Sequence, residues 1–420
     1  MRFLHISDLH IGKVVNDFSM LEDQKFILEQ IAGIAGANHV DAVVIAGDVY
    51  DRAIPSGEAV LLFDQFLTGL SEQKIPVLLI SGNHDSQERL SFGKELLGKQ
   101  GVYIAGIKEE DLVTVEFEEA SSDSALDSTL DFTEEKFLTQ FVLLPFLKPS
   151  QAGASNSQEA VEKMLARYWE EERKQAGRKN GSGRKRESGR KSGSEKKNRV
   201  LVTHFFVTDS GRAPELSDSE TTIHVGGIDN VEASVFEGFD YTALGHIHKQ
   251  QQVGERPVWY AGAPLAYSFG EIRQQKGALL ISIDGQGLSE VQPIPLRPMR
   301  RMRRISGTLS ELLAKGQEDV QKQDYIQAEL WDQGELIDPI GTLRSVYPNV
   351  MQILRKPAGQ DEEKQNYELS ENRIRTEKKD ALALFEDFYQ EVREKPLAEE
   401  GKRIVEELVK ELEGQEGSKK

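Results

Sequence analysis

The sequence predicts an α/β fold: a parallel, helix-covered sheet, a second sheet after it, a smaller α+β segment and a helical tail. Three observations predict it. Short continuous apolar runs, Phe3-Leu4-His5-Ile6, Ala42-Val43-Val44-Ile45-Ala46 and Val77-Leu78-Leu79-Ile80, suit strands buried on both faces. Stretches with helical spacing separate them, and a β-α-β-α-β-α order implies parallel strands joined by crossovers. Each run ends in a polar cluster: Ser7-Asp8-Leu9-His10, Gly47-Asp48, and Ser81-Gly82-Asn83-His84-Asp85. These lie at the carboxyl ends of the strands, where such sheets bind ligands.

Taken in order, Met20 to Ala37 places Leu21, Phe26, Ile27, Ile31 and Ile34 at helical spacing. A second amphipathic helix is expected from Ser56 to Gln73 and a third from Gln87 to Leu97. Gly101 to Leu147 reads as shorter strands with an acidic loop from Glu116 to Asp131, and a helix near Gln158 to Glu172 follows. Residues 173–199 hold twelve Lys or Arg against two Glu and almost nothing apolar. Such a segment cannot bury enough surface to offset the entropy of ordering, so it reads as a flexible basic insertion. A solvated linker is the plainer account of it, and a tethered arm on DNA phosphates the other.

Strand character returns at Arg199-Val200-Leu201-Val202-Thr203 and ends at His204, and Phe239 to Gly245 leads into His246-Ile247-His248. Val258 to Pro264 and Gly277 to Ile283 read as further strands of the second sheet. Pro293, Pro295 and Pro298 mark a linker, and Met299 to Pro357 alternates strand and helix patterns on the scale of a small domain. Thr376 to Leu412 is helical, split at Pro396, with apolar stripes such as Leu382, Phe385, Phe388 and Tyr389. Two short amphipathic helices must bury such stripes, on their own domain or on a partner.

The chain of 420 residues has no cysteine, which excludes disulfides and thiolate zinc sites. No apolar run is long enough to span a bilayer. Asp8 and His10 interrupt any signal-peptide pattern, so a cytoplasmic protein is expected. The net charge of -18 argues against a DNA-coating protein, but not against an enzyme that meets DNA through a local basic surface.

The strand-end residues Asp8, His10, Asp48, Asn83, His84, His204, His246 and His248 form the candidate site. In extended backbone, Asp8 and His10 would leave their strand on one side, two residues apart. Any one of these residues alone is commonly a cap or a turn former, but the repetition at five strand ends is not explained that way. Carboxylates and imidazoles together suit divalent ions of intermediate hardness such as manganese, iron or zinc. The set is too large for one ion and suits two that share a bridging carboxylate. Asp48 is the expected bridge, because Gly47 allows a tight turn beside it. Two such ions would clamp a phosphate; if Asn83 is a ligand, its neighbour His84 diverges from it and would face that phosphate, stabilising the transition state or protonating the leaving oxygen. Asp85 either orients His84 or caps the next helix. His5 reads as packed inside its strand, and His39 and His224 are given no role.

These motifs resemble the signature of the calcineurin-like metallophosphoesterases. Tyr260-Ala261-Gly262-Ala263-Pro264, running on to Ser268-Phe269-Gly270-Glu271, is similar to a stretch of the SbcD family of bacterial nuclease subunits. Gly47-Asp48-Val49-Tyr50-Asp51 and Gly82-Asn83-His84-Asp85-Ser86 resemble it too, whereas Ala263 stands where Ser is common. The resemblance implies a metallophosphoesterase β-sandwich flanked by helices over 1–295, a small α+β DNA-capping domain over 299–357, and a helical segment over 376–412 that docks on the ATPase SbcC. It implies two manganese ions, one held by Asp8, His10, Asp48 and His248, the other by Asp48, Asn83, His204 and His246. It also implies His84 as the catalytic histidine, single-strand endonuclease and double-strand exonuclease activity, and a dimer within a heterotetramer. Arg297, Arg300, Arg301, Arg303 and Arg304 begin the capping segment; if they lie on a strand, alternate arginines face outward, where DNA would pass. The competing functions are a phosphoesterase for small nucleotides or phosphoproteins, and a DNA-end tether whose metals are structural.

Overall fold

The computed structural model describes residues 1–106, 112–120, 136–181, 197–217, 230–355, 401–403 and 405. The chain divides into two compact units: 1–306 with 310–328 and 338–353, and 307–309 with 329–337 and 354–420. The first unit is built on two six-stranded sheets. One has the order Gly287–Pro295, Gly277–Asp284, Arg2–Ile6, Ala42–Ala46, Val77–Ile80, Val102–Ala105. Its last four strands are parallel, in registers such as Phe3↔Ala42, Val43↔Val77 and Val77↔Val102. The other has the order Gln251–Gln252, Val258–Tyr260, Tyr241–Gly245, Lys197–His204, Lys136–Leu144, Val113–Ala120. Its four central strands are also parallel, with Tyr241↔Val200 and Phe141↔Val200 in register.

Because the strands are apolar on both faces, both faces must be covered. Phe3, Val44, Leu78 and Ile80 meet Phe141, Leu143, Val202 and Tyr241 between the sheets. Phe3 stands edge-on to Phe141, their rings 5.1 Å apart. Helices Leu21–Ala37 and Gly57–Glu72 cover the outer face of the first sheet through Ile27, Ile31, Phe63 and Phe66. Helix Ser157–Gly181 covers the second through Val161, Met164, Leu165 and Tyr168. The result is a helix-flanked β-sandwich. Its parallel strands bring the ends of Arg2–Ile6, Ala42–Ala46, Val77–Ile80, Lys197–His204 and Tyr241–Gly245 to one edge.

Several expectations are corrected. Gly277–Asp284 joins the first sheet, antiparallel to Arg2–Ile6 with Leu4↔Leu280 in register, not the second. Pro293 and Pro295 lie in the edge strand Gly287–Pro295 rather than in a linker. An edge tolerates proline, because no neighbour there needs its missing N–H. The third helix is two short ones, Gln87–Leu90 and Lys94–Gly98, broken where Gly93 takes φ +74°. The helix expected to stop at Glu172 runs to Gly181, and the strand into His204 already begins at Lys197. Glu172 ties the two elements, pairing with Lys197 (3.0 Å) and Arg199 (3.1 Å), and Arg199 also lies over the Trp169 ring. Residues 182–196 of the basic stretch lie outside the described residues, as do His224 and all of 376–412 except 401–403 and 405, which are helical.

After the sandwich, strands Met302–Gly307, Tyr325–Leu330 and Val350–Arg355 form a three-stranded sheet, with helices Leu309–Glu318 and Pro339–Arg344 between them. Met302, Tyr325 and Met351 join the core under helix Leu21–Ala37. Within the second unit, Trp331 N donates to Gly307 O (3.1 Å) and Leu309 N to Asp332 (2.7 Å). No helix among the described residues is long and apolar enough to cross a membrane.

Candidate metal centre

All eight strand-end candidates meet at the common edge. Donor atoms of Asp8, His10 and His248 lie within 4.8 Å of one another, and so do those of His10, Asp48 and His84, and of Asp8, Asp48 and His204. Asn83 Oδ1 joins them 3.0 Å from His204 Nε2 and 3.0 Å from His246 Nδ1.

The backbone reaches this arrangement by left-handed turns, not by strand alternation. Asp8, His10, Asp48 and His246 have φ of 53°, 45°, 50° and 103°. Such conformations are costly for residues with a Cβ and persist where surrounding bonds fix them. Here Asp8 N donates to Gly47 O (3.1 Å), His10 N to Asp48 O (3.0 Å) and His246 N to the Asp8 carboxylate (3.0 Å). The expected extended Asp8-Leu9-His10 is therefore replaced by two kinks that aim both side chains inward. Close approach sets the glycines: a Cβ on Gly82 would sit 2.1 Å from Asp48 Oδ1, and one on Gly47 (φ +87°) 2.4 Å from His204 Nδ1.

Hydrogen bonds determine which ring nitrogens face the centre. His204 Nδ1 donates to Ala46 O (2.8 Å) and His248 Nδ1 to Glu271 Oε1 (3.3 Å), so each ring, when its Nε2 is deprotonated, turns that nitrogen's lone pair inward. Those lone pairs face other polar atoms of the centre: His248 Nε2 lies 3.2 Å from His10 Nε2, and His204 Nε2 is 3.0 Å from Asn83 Oδ1. Converging lone pairs repel unless a proton or a metal cation lies between them, so this donor set fits divalent ions.

Electrostatics agree. Burial pushes Asp8 up to about 6, helped by the charge of Asp48 and opposed by His204 and His248. Burial also works against the Asp48 carboxylate, but His204, His10 and His84 more than offset it and hold Asp48 well below the usual range. Burial opposes the charge on His204 too, yet Asp48 and Asp8 raise it to about 9. Burial keeps His10 neutral. A proton on His204 thus does what a cation would do, and ion binding must displace it.

Asp85 neither orients His84 nor caps the next helix. Its carboxylate accepts from Val49 N (3.1 Å), Tyr50 N (2.9 Å) and Gly82 N (2.9 Å), tying the turn after Asp48 to the turn before Asn83. The cap is Ser86, whose side chain accepts from Arg89 N. His84 is oriented instead by Asp51, whose carbonyl accepts from His84 Nδ1 (2.9 Å), while Asp48 Oδ1 accepts from His84 N (2.9 Å).

Sequence reading missed Asp51, Gln24 and Glu271. Gln24, from the first helix, is buried and carries the site loop, donating to His10 O (2.8 Å) and accepting from Gly12 N (2.9 Å). Its place on the helix face that holds Ile27, Leu28 and Ile31 could have signalled it. His5 is buried, its Nδ1 3.0 Å from the Tyr241 hydroxyl, as expected of a packed residue. Of the arginines between 297 and 304, Arg300 and Arg303 face carboxylates and Arg297 is exposed. Arg300 pairs with Glu22 and with Asp23 (3.2 Å), and Arg303 with Asp319 and Asp324 (both 2.8 Å). Arg304 donates to Gln327 (2.7 Å), and Arg301 is exposed.

Comparison with known proteins places these observations. Residues 298–393 match the SbcD C-terminal domain, described as the type 5 capsule protein repressor C-terminal domain. In structure the chain is similar to a dimetal phosphatase from Danio rerio, at 12% identity over 71% of this chain and 99% of that one, with a TM-score of 0.36. It is also similar to the protein TT1561 of Thermus thermophilus, at 15% identity over 70% of this chain and 99% of that one, with a TM-score of 0.35. Both likenesses are too slight to say anything of the site. Residues 1–250, well over half the chain and the span holding every candidate ligand, match the calcineurin-like phosphoesterase model. The chain belongs to the calcineurin-like phosphoesterases, a family of hydrolases that bind divalent metals.

Proposed function

We propose that the chain is a manganese-dependent DNA nuclease, with single-strand endonuclease and double-strand exonuclease activity, that acts as the D subunit of an SbcC–SbcD complex in DNA end processing. The observation that carries this reading is the pairing, in one chain, of the phosphoesterase match over 1–250 with the SbcD C-terminal match over 298–393. A phosphoesterase for small nucleotides or phosphoproteins has no need of the second segment.

In this reading Asp8, His10, Asp48 and His248 hold one ion, and Asp48, Asn83, His204 and His246 the other. A pair of such ions neutralises phosphate charge and lowers the pKa of water. The protein supplies the rest. Asp85 fixes the two turns, Asp48 packs closely against Gly82, and Asp51 O holds His84 Nδ1. His84 Nε2 is then the proton donor to the leaving oxygen. Residues 299–357 cap the DNA, with exposed Arg301 the arginine best able to meet phosphate, since Arg300 and Arg303 already face carboxylates. The 376–412 segment docks on SbcC, and the assembly holds two copies of each chain.

The test is linear DNA with manganese, with and without SbcC, for three forms of the protein. His84→Ala should keep its manganese and lose turnover by about 10²–10⁴. Asp48→Ala should lose both. A chain truncated before Thr376 should hydrolyse a small phosphodiester but neither co-purify with SbcC nor process long duplex. Hydrolysis of small phosphodiesters by the intact chain, with no action on DNA under either condition, would replace this reading with the small-substrate one.

A further inference from the structure

We infer that Glu271 and Lys276 are positioning residues that act through His248, setting how tightly one of the ions is held. The inference rests on the proposal that His248 is a metal ligand.

Glu271 is fully buried in a short turn, Phe269–Glu271. Its Oε1 accepts from His248 Nδ1 (3.3 Å) and from Ser268 Oγ (3.2 Å). Its Oε2 accepts from Lys276 Nζ (2.6 Å) and from Tyr267 N (3.3 Å). Lys276 is itself buried, and its ammonium also donates to His248 O (2.9 Å) and Gln274 Oε1 (2.9 Å). His248 is thus gripped at both ends by one ion pair: Glu271 on the ring and Lys276 on the carbonyl.

A buried Lys–Glu pair is a poor device for stability, because desolvating two charges offsets most of their attraction, and apolar residues of like volume commonly do as well. Its placement behind an imidazole suggests another use. A carboxylate on the remote nitrogen fixes the tautomer and the ring angle, and raises the basicity of the nitrogen facing the ion. His10, whose Nε2 lies 3.2 Å from that of His248, has no such brace. Among the described residues its Nδ1 has no hydrogen-bond partner, and the Asp51 carboxylate stands off at 3.9 Å, engaged at 2.7 Å by Lys13. The two imidazoles are therefore not equivalent: a carboxylate hydrogen-bonds the remote nitrogen of His248, and none does so for His10.

The test is calorimetric titration of manganese into the full chain, alongside thermal unfolding of the metal-free protein. Glu271→Gln should weaken one of two ions by about 10–100-fold and leave the other. Because Glu271→Gln strands the Lys276 charge, the paired change Glu271→Leu with Lys276→Met is the second variant. It should melt near the wild-type temperature without metal, yet show the same loss of affinity. Wild-type affinity for both ions in either folded variant would overturn the inference while leaving the metal site standing. A paired variant that melts far lower but binds manganese normally once folded would show a purely structural ion pair, and overturn it too. A wild-type chain that binds no manganese would instead overturn the metal reading itself, and this inference with it.

Discussion

Gly82→Ala is the sharpest test of how the centre is built. An added Cβ would lie 2.1 Å from Asp48 Oδ1 and 2.4 Å from Asp48 N. Non-bonded contacts to carbon settle near about 3.5 Å, so one turn must shift by about 1 Å or more. Neither can shift freely: Asp48 Oδ1 accepts from His84 N (2.9 Å), and Asp85 ties Gly82 N to the turn after Asp48 (2.9 Å). The displacement therefore falls on the Asp48 carboxylate, which lies 3.4 Å from His204 and 3.7 Å from His10. Overpacking of this kind costs about 1–3 kcal/mol of stability, and a shift of about 1 Å at a reacting centre costs about 10²-fold in rate. The assay is manganese titration, phosphodiester hydrolysis and urea unfolding of Gly82→Ala beside Gly69→Ala. Gly69 lies within helix Gly57–Glu72 with nothing near its added carbon, so alanine there should be neutral or stabilising by up to about 1 kcal/mol. Wild-type metal affinity and turnover in Gly82→Ala would refute the claim that a glycine at this position is needed for Asp48 to reach the ions.

Burial lowers His5 to about 3 from its ordinary 6.5, so the unfolded chain binds the extra proton between those values. Stability should thus fall as the pH drops below 6.5, by about 2–3 kcal/mol at pH 4.5, and the slope should flatten in His5→Gln when denaturant midpoints are compared. Asp23→Ala removes the buried carboxylate that holds Arg300 (3.2 Å) and the Tyr325 hydroxyl (2.6 Å), and should cost about 2–3 kcal/mol in urea unfolding. Manganese at about a hundred times its Kd should stabilise the wild type by about 2.7 kcal/mol, reversed by a chelator. Asp48→Ala should lose that gain, and an equal gain in the variant would place the ions elsewhere.

What the sequence by itself determined was the part written in short range. Apolar runs of four or five residues dictated buried parallel strands, and the polar residues after Ile6, Ala46, Ile80, Thr203 and Gly245 marked the edge at which they gather. That these eight side chains gather was legible because each follows its strand directly in the chain. Tertiary structure decided what depends on distant partners. Gly277–Asp284 could pair with either sheet on its own pattern, and only packing beside Arg2–Ile6 settled it. The inward aim of Asp8 and His10 comes from left-handed turns fixed by bonds to Gly47 and Asp48, far along the chain. Asp85, readable as a cap, is instead drawn to three backbone N–H groups that only the folded loops bring together. Arg300 and Arg303 suggested an open basic face until Glu22, Asp23, Asp319 and Asp324 met them. Glu271 was one acidic residue among many until folding laid it behind His248. A charge acquires its role from its partner, and sequence periodicity reports burial, not partners.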